Sequence, residues 1–86
     1  MPTYQVLLSK AARKQLNILP TFIQNKIIED ISALADTPRP AGCKKLKGQK
    51  NAWRIRAGDY RVIYEIEDRV LRVIVIGIGH RKDIYE

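Results

Sequence analysis

Residues 53–64 constrain the fold of this chain more than any other segment, because they predict a β-hairpin with a defined register. Apolar and cationic residues alternate on each side of the Gly-Asp pair at 58–59, and such alternation gives a strand two distinct faces. A two-residue turn that begins with glycine fixes the pairing of the two strands. In that register Arg56 lies opposite Arg61, and Arg54 shares their face.

The predicted pair of opposed arginines favours a role in holding an anionic ligand. Like charges placed directly opposite each other destabilise a β-ladder by about 0.2–1 kcal/mol, so the pair is unfavourable unless something neutralises it. The alternative is that three solvated arginines lie on an open face with no ligand.

Length and charge define one small basic domain, residues 1–86. The formal net charge is +7, and it concentrates in residues 44–61, where Asp59 is the one acidic residue. A basic patch of this kind is typical of proteins that bind a polyanion, usually nucleic acid, although an acidic protein would be attracted by the same field. The patch comprises Lys44, Lys45, Lys47, Lys50, Arg54, Arg56 and Arg61.

The counts of cysteine and histidine limit the kinds of chemistry that this chain can perform. One cysteine, Cys43, excludes an internal disulfide, and the sequence has no signal peptide or transmembrane run, so we expect a cytoplasmic protein without a membrane role. One histidine and no metal-loop spacing predict chemistry without a metal or another cofactor.

The N-terminal half predicts a strand followed by a helical hairpin. Residues 4–8 read as a strand, and Ser9 is a suitable N-cap for a helix over residues 10–19. Pro20 breaks that helix, and a second one extends to about residue 35; so short a link makes the two helices a hairpin. The predicted buried stripe of the second helix is Ile23, Ile27, Ile31 and Leu34, widened by Phe22 and Ile28.

The C-terminal half predicts a three-strand meander. The first of these strands ends at residue 57, the second spans residues 60–66 and the third spans residues 70–78. A tight turn between the last two places Glu65 opposite Arg72 and Arg61 opposite Ile76. The predicted fold class is α+β, with the strand and helix hairpin packed on a small, mostly antiparallel sheet. The position of the first strand in that sheet stays open.

The face that carries the arginines is also predicted to have an apolar floor of Ile63, Ile74 and Ile76. A groove with an apolar base and cationic walls suits a nucleotide or an amphipathic peptide. Glycines at 77 and 79 permit a sharp bend after the last strand, which would bring His80, Arg81 and Tyr85 toward the arginines.

These motifs together resemble the RelE/ParE superfamily of bacterial and archaeal toxins, on the RelE side. The resemblance covers essentially the whole chain, through the strand and helix at its start, the Leu-Lys-Gly at 46–48, residues 53–65 and residues 79–85. It implies a RelE-like fold and a toxin of a type II toxin–antitoxin system. Such toxins are ribosome-dependent endoribonucleases that cut translated mRNA in the decoding site. A RelB-like antitoxin silences them, and the complex binds its operator DNA through the antitoxin.

The resemblance also implies roles for individual residues in RNA cleavage, in which the neighbouring ribose 2′-OH is the nucleophile. Arg61 and Arg81 match the stabilisers of the phosphate and transition state, and Arg81 also matches the leaving-group acid. Arg54 and Arg56 stand where some relatives carry lysines, one of them a general base. The full catalytic set is Arg54, Arg56, Arg61, Arg81, Tyr85 and His80, and the residues expected to contact ribosomal RNA backbone are Lys44, Lys45, Lys47 and Lys50.

Two assignments stay open at this point. Arginine is a poor general base because it remains protonated at neutral pH, so His80, of a residue type that titrates near neutrality, is the alternative to Arg54. Tyr85 matches a tyrosine that orients the 2′-OH or stacks on a base.

Two other functions compete with cleavage. A ParE-like toxin shares the fold but inhibits DNA gyrase by binding, and a decayed relative would only bind an antitoxin and repress its operon. The joint presence of the arginines and Tyr85 favours cleavage, because ParE-type proteins generally lack that set.

Overall fold

Two helices cover one face of a five-stranded sheet in the computed structural model, which describes residues 3–82. The strand order is β1-β5-β4-β3-β2, and all pairs are antiparallel except β1 with β5. No helix within this range is long and apolar enough to cross a membrane. The elements are β1 Gln5–Leu8, α1 Lys10–Asn17, α2 Thr21–Ala33, β2 Lys44–Lys45, β3 Ala52–Ala57, β4 Tyr60–Glu67, a 3₁₀ turn Asp68–Val70 and β5 Arg72–His80.

The helical hairpin forms as predicted because local side-chain hydrogen bonds define its ends. Ser9 is the N-cap of α1, and its Oγ accepts a hydrogen bond from the Ala12 N–H at 3.1 Å, which satisfies one of the orphan donors of the first turn. At the other end, Gln24 Nε2 donates to the carbonyl oxygens of Leu19 at 2.7 Å and Asn17 at 3.3 Å. A side chain of α2 therefore stabilises the turn between the two helices.

The core lies between the helices and the covered face of the sheet. Ile27 and Ile31 of α2 and Leu34 at its C-cap are buried as predicted, but Phe22 is 75% exposed and Ile28 is 45% exposed. A helix lying on one sheet face buries a narrow stripe, and no second layer of the described chain covers the other side of α2. The sheet side of the core comprises Ile55, Ala57, Val62, Tyr64, Ile66, Val73, Val75 and Ile78.

The predicted pairing of β3 with β4 is confirmed, and Arg56 lies opposite Arg61. The predicted pairing of β4 with β5 is wrong, since Glu67 lies opposite Arg72 and forms an ion pair with it at 3.2 Å. The reason is the connection, which contains a 3₁₀ turn and then Leu71 at φ 51°, and so holds more residues than the tight turn we predicted.

A β-bulge then shifts β5 by one further residue. Tyr64 pairs with Val75 while the preceding Ile63 pairs with Gly77, so Ile76 is an additional residue in β5. Arg61 consequently lies opposite Gly79, where the sequence had predicted Ile76. The bulge therefore brings a glycine, not an isoleucine, alongside this arginine.

The loop after α2 is tied to the far end of the sheet by a polar cluster. Arg39 Nη2 lies 2.9 Å from Asp68 Oδ2, and the guanidinium also lies 4.9 Å from the centre of the Trp53 ring. The Tyr4 hydroxyl donates to Asp68 Oδ1 at 2.7 Å. The hydrogen bond from Arg39, and after it the one from Tyr4, lowers the pKa of the Asp68 carboxyl.

Replacing Asp68 with asparagine is expected to flatten the acid side of the stability curve. Because the pKa of this carboxyl is lower in the folded chain, its contribution is present above the unfolded value of about 4 and is lost as pH falls through the folded value. Between about pH 5 and pH 2 the native chain should lose more of its free energy of unfolding than Asp68→Asn does. Denaturant unfolding at several pH values measures this difference.

Asp36→Asn is the matched control, because it removes the same charge from an exposed position after α2 that is not part of the cluster. Parallel curves for the native chain and Asp68→Asn would contradict the stabilising role of the cluster.

Candidate functional site

Three arginines lie on the face of the sheet that the helices leave open, and we call Arg54, Arg56 and Arg61 the arginine face. They alternate with Ile55, Ala57 and Val62, which are buried on the helix side. Their exposure differs: Arg56 is exposed, Arg61 is half-buried and Arg54 is 3% exposed. The face therefore combines a deeply held guanidinium with two that solvent or a ligand can reach.

The neighbouring part of β5 leaves room beside these arginines. Gly79 lies opposite Arg61 and Gly77 lies opposite Ile63, so neither position presents a side chain. A Cβ added at Gly77 would lie 3.8 Å from the Ile63 Cβ, an ordinary contact distance, so the packing of the protein does not require glycine there. Such a position is typical of a strand that something else approaches closely.

Arg81 continues the same edge of the arginine face. Its backbone N–H donates to the Asp59 carbonyl oxygen at 2.8 Å, which fixes it beside the β3–β4 turn. Arg81 is the first residue after the end of β5 and lies two positions beyond Gly79, which is opposite Arg61. Arg81 is exposed, and its guanidinium can therefore reach a ligand held above the arginine face.

His80 lies on the other side of the sheet, and the predicted bend that would have moved it is wrong. β5 continues through both glycines and pairs His80 with Tyr60. The two rings meet edge to face with their centres 5.4 Å apart, and His80 Nδ1 accepts a hydrogen bond from the Lys82 N–H at 3.2 Å. The arginine face and His80 are thus separated by the sheet. Tyr85 lies outside the described residues.

The four lysines of the basic patch do not all join the arginine face. Lys44 pairs with Arg54 and shares its face, whereas Lys45 pairs with Trp53 and belongs to the helix side. Lys47 and Lys50 are exposed in the connection between β2 and β3. The sequence did not predict β2, because two residues are too few to show an alternation.

A cleft of about 800 Å³ opens at the edge of β3, next to the arginine face. Arg54, Arg56 and Lys44 line it from the sheet, and Lys26 and Asp30 line it from α2. Lys26 Nζ lies 3.3 Å from Asp30 Oδ1, so the walls carry four cations and one acid. Lys26 had not been predicted as a site residue, because a lysine on an exposed helix face gives no sequence signal.

Within residues 3–82, no three His, Cys, Asp or Glu side chains come together in a group that could hold a metal ion.

Comparison with known proteins identifies the family to which the chain belongs. A family model described as the ParE toxin of the type II toxin–antitoxin system, parDE, matches residues 6–85. The chain is 30% identical over 83 residues to toxin RelG of Mycobacterium tuberculosis, with 95% of each chain covered. It is 32% identical over 88 residues to toxin RelE3 of Methanocaldococcus jannaschii, with 95% of this chain and 96% of that toxin covered. The chain therefore belongs to the RelE/ParE family of toxins of toxin–antitoxin systems.

Solved structures agree with this placement. The archaeal RelE–RelB complex from Pyrococcus horikoshii matches with a TM-score of 0.83 at 29% identity, covering 95% of this chain and 99% of that one. The RelBE2 toxin–antitoxin complex of Mycobacterium tuberculosis matches with a TM-score of 0.82 at 28% identity, covering 92% and 99%. Both the predicted fold class and the resemblance to RelE are confirmed, and the structural neighbours include toxins bound to their antitoxins.

Proposed function

We propose that this toxin is a ribosome-dependent endoribonuclease that cuts translated mRNA in the decoding site. The observation that carries the proposal is the arginine face itself, where Arg56 lies opposite Arg61 with glycine on the neighbouring strand. Two guanidinium groups at opposed strand positions can both donate to the non-bridging oxygens of one phosphodiester through forked, charge-assisted hydrogen bonds. The glycines would let the RNA backbone come close to the sheet.

The proposed chemistry is attack by the ribose 2′-oxygen on the adjacent phosphorus. The new O2′–P bond forms as the P–O5′ bond breaks, which yields a 2′,3′-cyclic phosphate and a 5′-hydroxyl. Negative charge increases on the non-bridging oxygens in the transition state, and Arg56 and Arg61 would hold those oxygens through charge-assisted, forked hydrogen bonds. Arg81 would donate the proton that the departing O5′ takes up and would regain one from solvent, and Arg54 would supply a fixed positive charge beneath the phosphate.

The proton of the 2′-OH needs an acceptor. Arginine does not accept a proton at neutral pH, and His80 lies behind the sheet. We therefore assign the acceptor to a group of the ribosome, with Tyr85 orienting the 2′-OH. An incomplete set of acid–base groups on the arginine face, within the part of the chain that the structure describes, gives a physical reason for ribosome dependence, because free toxin would bind the phosphate without completing the reaction.

His80→Ala tests this assignment. We expect cleavage to remain within about ten-fold of the native rate, because loss of a general base costs about 10²–10⁴-fold. Rates of mRNA cleavage on programmed ribosomes measure the effect. A loss of about 10²-fold or more with an intact fold would return the base role to His80.

The cleft beside β3 supports a path for the flanking RNA. Lys44, Arg56 and Lys26 continue the cationic surface from the arginine face around the sheet edge, and contacts of this kind position a backbone without reading its sequence. Lys45, Lys47 and Lys50 would contact ribosomal RNA.

The proposal includes a RelB-like antitoxin as the cellular partner, supported by the RelE–RelB complexes among the structural neighbours. An acidic, amphipathic antitoxin would be attracted by the net charge of +7 and would link the toxin to operator DNA. The site of action is the cytoplasm, where translating ribosomes are found.

Primer extension on a translated mRNA, with and without ribosomes, tests the function. Discrete cuts that require ribosomes and vanish with Arg81→Ala would support cleavage. Intact mRNA together with growth arrest would overturn it.

A second candidate is a ParE-like toxin that inhibits DNA gyrase by binding, favoured by the match of the ParE family model to residues 6–85. Addition of the purified toxin to a cell-free translation extract without DNA replication separates the two, because gyrase inhibition predicts undiminished protein synthesis there.

A further inference from the structure

Gln15 joins α1 to the strand that borders the arginine face. Its side-chain Oε1 accepts a hydrogen bond from the backbone N–H of Ile78 at 2.7 Å. The two residues are 63 positions apart in the chain, so this contact links the first helix directly to the end of β5.

This hydrogen bond lies in the part of β5 that extends beyond β1, its neighbouring strand on that edge. β1 ends at Leu8, opposite Val75, and beyond that point no other strand of residues 3–82 pairs with this edge of β5. Two side chains of the α1 segment occupy the edge instead: Ser9 Oγ donates to the Ile76 carbonyl oxygen at 3.5 Å, and Gln15 accepts from Ile78. The Gln15 bond is the shorter and stronger of the two.

The segment held in this way carries the neighbours of the arginine face. Gly79 follows Ile78 and lies opposite Arg61, and Arg81 donates to the Asp59 carbonyl oxygen from the end of the same segment. Gly77 and Gly79 offer no side chains to pack, and the bulge at Ile76 interrupts the regular ladder. Apart from the buried side chain of Ile78, backbone hydrogen bonds therefore do most to fix the position of this segment.

We propose that Gln15 is a positioning residue, which sets the distance between Arg61 and Arg81 by holding β5 from the helix side of the sheet. The proposal rests on the proposed ribonuclease function. Gln15 does not touch RNA, since it lies on the other side of the sheet from the arginines.

Three variants test it. Gln15→Leu removes the acceptor at similar size, Gln15→Glu keeps an acceptor oxygen, and Gln24→Leu is the matched control that removes a glutamine bond from the helical turn. We would measure kcat and KM of ribosome-dependent cleavage, the melting temperature, and the amide NMR shifts of Gly79 and Arg81 for each.

Gln15→Leu should lower kcat by about 10- to 100-fold, the scale of an ångström-sized misplacement, with KM nearly unchanged. Gln15→Glu should restore most of kcat, and Gln24→Leu should lower the melting temperature without lowering kcat. Equal losses of kcat in Gln15→Leu and Gln24→Leu, or none in either, would overturn the proposal.

The NMR shifts keep this test separate from the proposed function. If native toxin does not cleave mRNA, the ribonuclease proposal fails; displaced Gly79 and Arg81 amides in Gln15→Leu, but not in Gln24→Leu, would still support the positioning role. Unmoved amides in Gln15→Leu would refute that role whatever the activity.

Discussion

Replacing Arg61 with alanine is expected to lower ribosome-dependent mRNA cleavage by about 10²–10³-fold, the scale of losing one transition-state donor. Arg61 stands between Arg56 and Gly79 at the centre of the arginine face, so both the phosphate and the charge that develops on it would lose a contact. The fold should survive, because Arg61 is not part of the core. Single-turnover cleavage on programmed ribosomes gives the rate, and circular dichroism gives the fold.

Arg69→Ala is the matched control, since it removes the same charge from an exposed position in the 3₁₀ turn and should leave the rate unchanged. Arg61→Lys adds a second comparison, because lysine keeps the charge but not the fork of donors. If Arg61→Ala and Arg69→Ala cleave equally well, the arginine face does not carry catalysis.

Replacing Arg81 with alanine should have an effect of similar or larger size, about 10²–10⁴-fold, if Arg81 assists the leaving group. Its backbone is held by the Asp59 carbonyl oxygen, and truncation of an exposed side chain leaves that bond in place. The loss should therefore appear in kcat with the melting temperature unchanged.

Lys82→Ala is the control for Arg81, because it removes a neighbouring exposed cation by the same truncation. Lys82 lies in the turn after β5, and its backbone N–H donates to Nδ1 of His80 on the helix side of the sheet, so its loss should change the rate little. Equal defects in the two variants would indicate a general charge effect at this end of β5, without a specific role for Arg81.

The β3–β4 hairpin could be predicted residue by residue because its determinants are local. A two-residue turn leaves one pairing that keeps Ile55 and Val62 in the core, and that pairing puts Arg56 opposite Arg61. The same locality explains the correct N-cap at Ser9.

The β4–β5 register was wrong because its determinants are not local. The connection between β4 and β5 contains a 3₁₀ turn and then Leu71 in the left-handed conformation. The extra residue at Ile76 is accommodated only in the assembled sheet. The parallel pairing of β1 with β5 likewise depends on how α1 and α2 cross the sheet, and no turn motif specifies it. The exposure of Phe22 depends in the same way on which side of α2 the sheet contacts.

These non-local features also decide which site residues meet. Arg54, Arg56 and Arg61 come together as predicted, since one hairpin carries all three. His80 was expected on the same face and lies on the other.

The bulge at Ile76 changes which face of the sheet each later residue of β5 occupies. If Ile76 instead took part in a regular ladder, strict alternation from Val73 and Val75 would turn Ile78 and His80 toward the arginines. The bulge thus exchanges the two faces for the rest of the strand. The bulge thereby keeps the imidazole of His80 on the helix side, and the open face carries guanidinium groups, which are charged at every physiological pH. Binding of an anionic ligand by the arginine face is therefore expected to change little across the physiological pH range.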